Sequence, residues 1–133
     1  TIAAEDSIPY IIAEIPTNPR VEVPDLKKLQ TVLSKERTTA SGEIAIDPVF
    51  VLDQTFCPNV HFLGEDRILS SVRTIAYVSG SKFPSGGKCT AGYCVVNKKS
   101  KDLMVTIVEP IQIINSIHPR RSREIIPSQL MRN

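Results

Sequence analysis

Residues 74–82, TIAYVSGSK, decide the fold that the sequence predicts. The run from Thr74 to Val78 is largely apolar, which indicates a strand buried on both faces, and Ser79–Lys82 follow it as a polar loop. Strands of this kind are typical of the parallel sheet of an α/β domain. Ligands of such sheets bind beyond the carboxyl ends of the strands, so the loop that ends in Lys82 is a candidate site.

Similar apolar runs occur on both sides of this stretch. They predict three further buried strands, at Tyr10–Glu14, at Val49–Leu52 and at Gly92–Val96. The first is closed by a cluster of prolines, and the second by Asp53. Together with the helical patterns between them, the four strands favour an α/β fold with a parallel sheet.

Two helices are predicted between the strands. Asp25 and the proline before it begin the first, in which Leu26, Leu29 and Leu33 recur at three- and four-residue steps on one face. The second prediction is a short helix at Gly64–Val72, whose first turn carries two acidic residues.

Polar residues follow three of the predicted strands: Asn18, Asp53 and the segment Ser79–Lys82. An enzyme that binds an aldehyde cofactor through an imine requires a lysine amine, for which Lys82 is the candidate. It also requires a carboxylate for the protonated ring nitrogen, which Asp53 could supply, and hydroxyl donors for a phosphate. Taken singly, a lysine in a Gly/Ser loop is usually solvated and an aspartate at a strand end usually forms a turn.

Composition excludes several classes of protein. With 133 residues, 41% hydrophobic and 23% charged, the chain has the length and composition of one soluble globular domain. A net charge of +2 does not indicate a nucleic-acid partner, and no apolar run approaches a membrane span. The start of the chain lacks the pattern of a signal peptide, which favours a cytoplasmic location. Three cysteines fit a reducing compartment better than disulfides, and their spacing predicts no metal site.

A phosphate-binding loop of nucleotide hydrolases is an alternative for SGSKFPSGGKC, residues 79–89. The spacing excludes it, because the required first glycine falls on Lys82. The residue after Lys88 is Cys89, so the hydroxyl that would bind magnesium is missing.

Three motifs in the same order resemble the cystathionine γ-synthase and methionine γ-lyase family of pyridoxal-phosphate enzymes. IAEIPTNPRVEVPDLKKL at 12–29 is similar to that family's Glu-x-Pro-x-Asn-Pro segment, and VFVLDQTFCPN at 49–59 is similar to its strand ending in Asp-Asn-Thr-Phe. YVSGSKFPSGG at 77–87 is similar to its Ser-x-Thr-Lys-Tyr motif, which holds the cofactor lysine. The resemblance runs from Tyr10 to Met104 and is nearest to the fungal cystathionine γ-synthases.

The resemblance implies a three-layer α/β/α piece of the large domain of a fold-type I pyridoxal-phosphate transferase, with a mostly parallel sheet, at residues 1–104. The implied cofactor is pyridoxal 5′-phosphate and the implied reaction is γ-replacement, in which cysteine and an activated homoserine ester give cystathionine. Lys82 would be the catalytic lysine, Asp53 would pair with the ring nitrogen, Asn18 would contact the ring, and Ser79 and Ser81 would bind the phosphate. The substrates would be small amino acids, and the complete enzyme would be a homo-oligomer.

Departures from the family pattern leave two alternatives open. Gln54 and Phe83 replace the usual Asn and Tyr, and the upstream Gly-rich phosphate loop has no counterpart. Residues 105–133 are predicted to be a divergent tail, as in a truncated or frameshifted chain. A related carbon–sulfur lyase or sulfhydrylase has the same motifs, and a non-catalytic fragment is the second alternative. An excised sheet would expose its edges, so marginal stability or self-association is expected.

Overall fold

Four apolar runs form one sheet in the computed structural model, which describes residues 7–82, 86–88 and 91–103. The strands lie in the order β1-β2-β3-β4. They are β1 (Tyr10–Glu14), β2 (Val49–Asp53), β3 (Thr74–Ser79) and β4 (Gly92–Val96). All four predicted strands are confirmed, while the predicted tail at 105–133 lies outside the described residues.

The sheet is mostly parallel, as the sequence predicts. Strand β1 pairs with β2 and β2 pairs with β3 in parallel, with Asp53 opposite both Glu14 and Tyr77. Strand β4 runs antiparallel to β3. This antiparallel direction follows from the loop that connects β3 to β4. The two ends of that loop are hydrogen-bonded to each other, since the Gly80 N–H donates to the carbonyl of Ala91 at 2.7 Å. The chain therefore returns directly alongside β3.

Helix α1 spans Leu26–Leu33 and confirms the first predicted helix. The side chain of Asp25 caps its N-terminus by accepting a hydrogen bond from the Lys28 N–H at 3.0 Å. Leu33 is buried, and Leu26 and Leu29 pack against the core, as their spacing predicts.

The predicted helix at Gly64–Val72 is wrong, because this segment forms consecutive turns. Its backbone hydrogen bonds join residues three apart, and the Leu69 N–H instead donates to the distant carbonyl of Phe62. Leu69 and Val72 are fully buried under the sheet. Burial of these two side chains therefore outweighs the weak helical preference of a segment this short.

Two apolar clusters cover opposite faces of the sheet, because side chains alternate along a strand. The larger cluster combines the residue after β1 with residues of α1, of β2 and β3 and of the turns between β2 and β3: Ile15, Leu33, Phe50, Leu52, Phe62, Leu69, Val72 and Ala76. On the other face, Leu103 packs against Val49 and Ile75. Leu103 is the last of three helical residues, 101–103, that follow a 3-10 turn at Lys98–Ser100.

Strand β1 departs from the prediction of a strand buried on both faces. Tyr10 is 58% exposed and Ile12 is 72% exposed, whereas Ile11 and Ala13 pack against the larger cluster. The cause is position, since β1 is an outer strand of the described sheet. No helix in the described ranges is long and apolar enough to cross a membrane.

Candidate functional site

The carboxyl ends of the three parallel strands lie at one edge of the sheet. Asp53 ends β2 and Ser79 ends β3, so the parallel pairing places both residues at this edge. Glu14, Asp53 and Tyr77 are register partners and form a polar row across the three strands. Two of the residue groups that the sequence singles out are therefore neighbours in space.

Two backbone N–H groups hold Asp53 in place, one at its carboxylate and one at its own backbone carbonyl. The Thr55 N–H donates to Asp53 Oδ1 at 2.9 Å, and the Ile15 N–H donates to the backbone carbonyl of Asp53 at 3.1 Å. Asp53 is only half-buried, so part of the residue is accessible to solvent. The arrangement suits a carboxylate that must point in one direction and accept a further hydrogen bond.

Ser79 at the end of β3 and Ser81 in the loop after it bring two hydroxyl groups together. Their Oγ atoms lie 2.8 Å apart, and the Ser81 N–H approaches Ser79 Oγ at 3.4 Å. Between them, Gly80 has no room for a side chain, since a Cβ there would lie 2.4 Å from the carbonyl oxygen of Ala91. Lys82 follows with an exposed side chain, and its carbonyl accepts from the Gly87 N–H at 3.3 Å.

Asn18 lies in the turn after β1, beside the strand that carries Asp53. Its backbone N–H donates to Glu14 Oε2 at 2.9 Å, and its side chain is exposed. In the described part of the chain, no hydrogen bond joins Asn18 to Asp53 or to the serines. The structure thus brings together Asp53, Ser79 and Ser81, places Lys82 next to them, and leaves Asn18 at the margin.

Two side chains that the sequence analysis did not single out face the Asp53 carboxylate. Burial raises the pKa of Tyr77, and a hydrogen bond from its hydroxyl to Asp53 and the charges of Asp53 and Glu14 raise it further. Burial also raises the pKa of the Cys57 thiol, with a smaller contribution from the charge of Asp53. Cys57 donates to the Ile15 carbonyl at 2.9 Å. The sequence contains a signal for Tyr77, because its hydroxyl is the polar group between the apolar residues Ala76 and Val78 of β3.

Thr55 is the third residue that the sequence analysis missed. It is only 4% exposed, and its Oγ1 accepts from the Ser79 N–H at 3.0 Å while its own N–H binds Asp53. A signal for it existed, because Thr55 stands inside the Asp-x-Thr-Phe motif at 53–56.

Neither described cavity belongs to this edge. One, of about 480 Å³, lies between the turns at 63–71 and the end of β4. The other, of about 220 Å³, lies between α1 and the start of β1 and is mostly apolar. Within the described ranges, no group of three or more His, Cys, Asp or Glu could hold a metal ion. A carboxylate, paired hydroxyls and a nearby amine are therefore the chemistry that the described sheet edge offers.

The fold and this edge define an α/β chain with a four-stranded, mostly parallel sheet. No protein-family model, no curated protein and no solved structure matches it.

Proposed function

We propose that this chain carries part of the cofactor site of a pyridoxal-phosphate enzyme of the trans-sulfuration type, with Lys82 as the cofactor lysine. The observation that carries the proposal is the hydrogen-bonded connection at one sheet edge from Asp53 through Thr55 to Ser79, in the loop that ends at Lys82. The proposed fold is the corresponding piece of a three-layer α/β/α large domain.

The residues at this edge fit the chemical groups of pyridoxal 5′-phosphate. The Asp53 carboxylate would accept a hydrogen bond from the protonated ring nitrogen, and the hydroxyls of Ser79 and Ser81 would donate to the phosphate. Asn18 would approach the ring from the turn after β1. When bound, the cofactor supplies an electron sink for the substrate carbons. The Lys82 amine would hold the cofactor covalently and carry protons between those carbons.

The reaction that the three motifs favour is γ-replacement on an activated homoserine ester, with cysteine as the incoming sulfur nucleophile. Carbon–sulfur lyases and sulfhydrylases of the same family place the same residue types around the same cofactor. The residues at this edge therefore define the cofactor chemistry, and groups elsewhere in the complete enzyme select the substrate. In this proposal the complete enzyme is a homo-oligomer.

A chain with little or no catalytic activity is the second candidate, because Lys82 and Asn18 are both exposed. The hydroxyls of Ser79 and Ser81 are the only phosphate donors that the motifs assign. Each further charge-assisted hydrogen bond from an upstream phosphate loop would contribute about 1.5–3 kcal/mol. Weak cofactor binding by the isolated chain is therefore expected.

The test is to incubate the chain with pyridoxal phosphate, reduce with borohydride and map the labelled peptides. Label should concentrate on Lys82 and be lost in Lys82→Ala. Lys88→Ala is the matched control, because Lys88 is exposed in the same loop region and has no proposed role. Asp53→Asn should weaken labelling of Lys82 without redirecting it. Label spread evenly over exposed lysines, or equal in wild type and Asp53→Asn, would contradict the proposal.

A further inference from the structure

Thr55 connects the two groups that the proposed function assigns to opposite ends of the cofactor. Its N–H donates to Asp53 Oδ1 at 2.9 Å, and its Oγ1 accepts from the Ser79 N–H at 3.0 Å. Both bonds come from one residue that is almost fully buried. No other described residue bonds both the Asp53 carboxylate and the backbone of Ser79.

We propose that Thr55 is a positioning residue, which fixes the serine hydroxyls relative to the Asp53 carboxylate; this inference rests on the proposed function. The backbone N–H of Thr55 holds the carboxylate, and its hydroxyl holds Ser79 at the end of β3. A ligand that contacts both Asp53 and the serines spans a distance that this one residue determines. The proposed role needs no direct contact between Thr55 and the cofactor.

The same geometry determines which atoms of the loop meet the phosphate. The Ser79 N–H is occupied by Thr55, and the Gly80 N–H is occupied by the carbonyl of Ala91. Phosphate recognition in this loop is thereby assigned to the hydroxyls of Ser79 and Ser81, which lie 2.8 Å apart. Without the hydroxyl of Thr55, the Ser79 N–H would lack this partner and the start of the loop would lose one of the hydrogen bonds that fix its backbone.

The test compares Thr55→Val with Thr55→Ser. Valine keeps the shape and the backbone bond to Asp53 but removes the hydroxyl, whereas serine keeps the hydroxyl. Thr74→Val is the matched control: it removes a buried hydroxyl, bonded to the Val72 carbonyl at 3.0 Å, from the opposite end of β3. Each variant is titrated with pyridoxal phosphate and with pyridoxal, which lacks the phosphate. Amide hydrogen exchange at Ser79 is measured without any cofactor.

In Thr55→Val, the affinity for pyridoxal phosphate relative to pyridoxal should fall about tenfold, and exchange at Ser79 should accelerate by a similar factor. Thr55→Ser should restore both values, and Thr74→Val should change neither the affinity ratio nor exchange at Ser79. Equal losses for both aldehydes in Thr55→Val would show a merely structural residue and overturn the proposal. If the wild-type chain binds neither aldehyde, the proposed function fails and the cofactor role of Thr55 fails with it. An unchanged exchange rate at the Ser79 amide in Thr55→Val would refute the hydrogen bond between Ser79 and Thr55 on which the proposal rests.

Discussion

Replacing Asn97 by leucine should destabilise the chain more than any exposed substitution, because its side chain is the buried link between β4 and the turns before β3. Asn97 is 4% exposed. Its Nδ2 donates to the carbonyls of Leu69 at 2.9 Å and of Val72 at 2.6 Å, while its Oδ1 accepts from Ser100 Oγ at 2.8 Å. Leucine has a similar volume and makes none of these bonds.

The expected loss in the free energy of unfolding is about 2–5 kcal/mol. Ser100 is completely buried, so a hydroxyl left without its acceptor costs about 1–3 kcal/mol. The two carbonyls keep a second donor each, from the Val72 N–H and the Thr74 hydroxyl, so each lost bond contributes only about 0.5–1 kcal/mol. A loss of this size is a large part of the stability of a domain, about 5–15 kcal/mol.

Urea unfolding followed by circular dichroism measures the change, with Asn59→Leu as the control at an exposed asparagine. The control should shift stability by less than about 0.5 kcal/mol. A double-mutant cycle with Ser100→Ala tests the cause, since removing Ser100 should cost little once Asn97 is gone. A loss below about 1 kcal/mol for Asn97→Leu, or additive losses in the cycle, would refute the reasoning.

Two further outcomes follow from the structure. Gly80→Ala should lower stability by about 1–3 kcal/mol and reduce labelling of Lys82, because its Cβ would lie 2.4 Å from the Ala91 carbonyl. Gly64→Ala meets only the flexible Arg67 side chain and should be near neutral; equal effects in both would contradict the argument. Burial raises the pKa of Cys57, Cys94, Tyr77 and Tyr93, so the folded state holds these protons more tightly. This stabilisation is complete below the unfolded pKa of a thiol, about 8.5, and is lost as pH rises through the folded values. The urea concentration at the midpoint of unfolding should therefore be lower at pH 10 than at pH 7. A midpoint that does not change with pH would contradict this prediction.

The strands could be predicted from the sequence because each is a short apolar run closed by polar or turn residues. Val49–Asp53 and Thr74–Ser79 extend only one residue beyond their predicted ends. The direction of β4 and the exposure of Ile12 could not be predicted. The direction of β4 and the exposure of Ile12 depend on the order in which the strands pair. The sequence does not specify this order, because an apolar run has the same pattern in a central strand and in an outer strand.

The predicted helix at Gly64–Val72 failed for a different reason. Leu69 and Val72 have helical spacing, yet three-residue spacing also fits successive turns that bury every third side chain. Each acidic residue in the first turn stabilises a helix by only about 0.3–1 kcal/mol. Tertiary burial of two aliphatic side chains exceeds that preference, since each contributes about 1.5–3 kcal/mol.

The shared location of Asp53 and Ser79 was more predictable than parts of the fold, because parallel pairing places the ends of β2 and β3 at one edge of the sheet. Had β2 and β3 paired antiparallel, Asp53 and Ser79 would lie at opposite ends of the sheet, and no single ligand could reach both. The observed pairing of Asp53 with Tyr77 places the carboxylate two residues before Ser79 on the neighbouring strand. Thr55 completes the connection with two hydrogen bonds that no strand pattern specifies. The shared location of Asp53 and Ser79 thus follows from topology, and in our proposal their spacing is fixed by a single buried threonine, which is why substitution of Thr55 tests the proposed chemistry more directly than any change in the sheet.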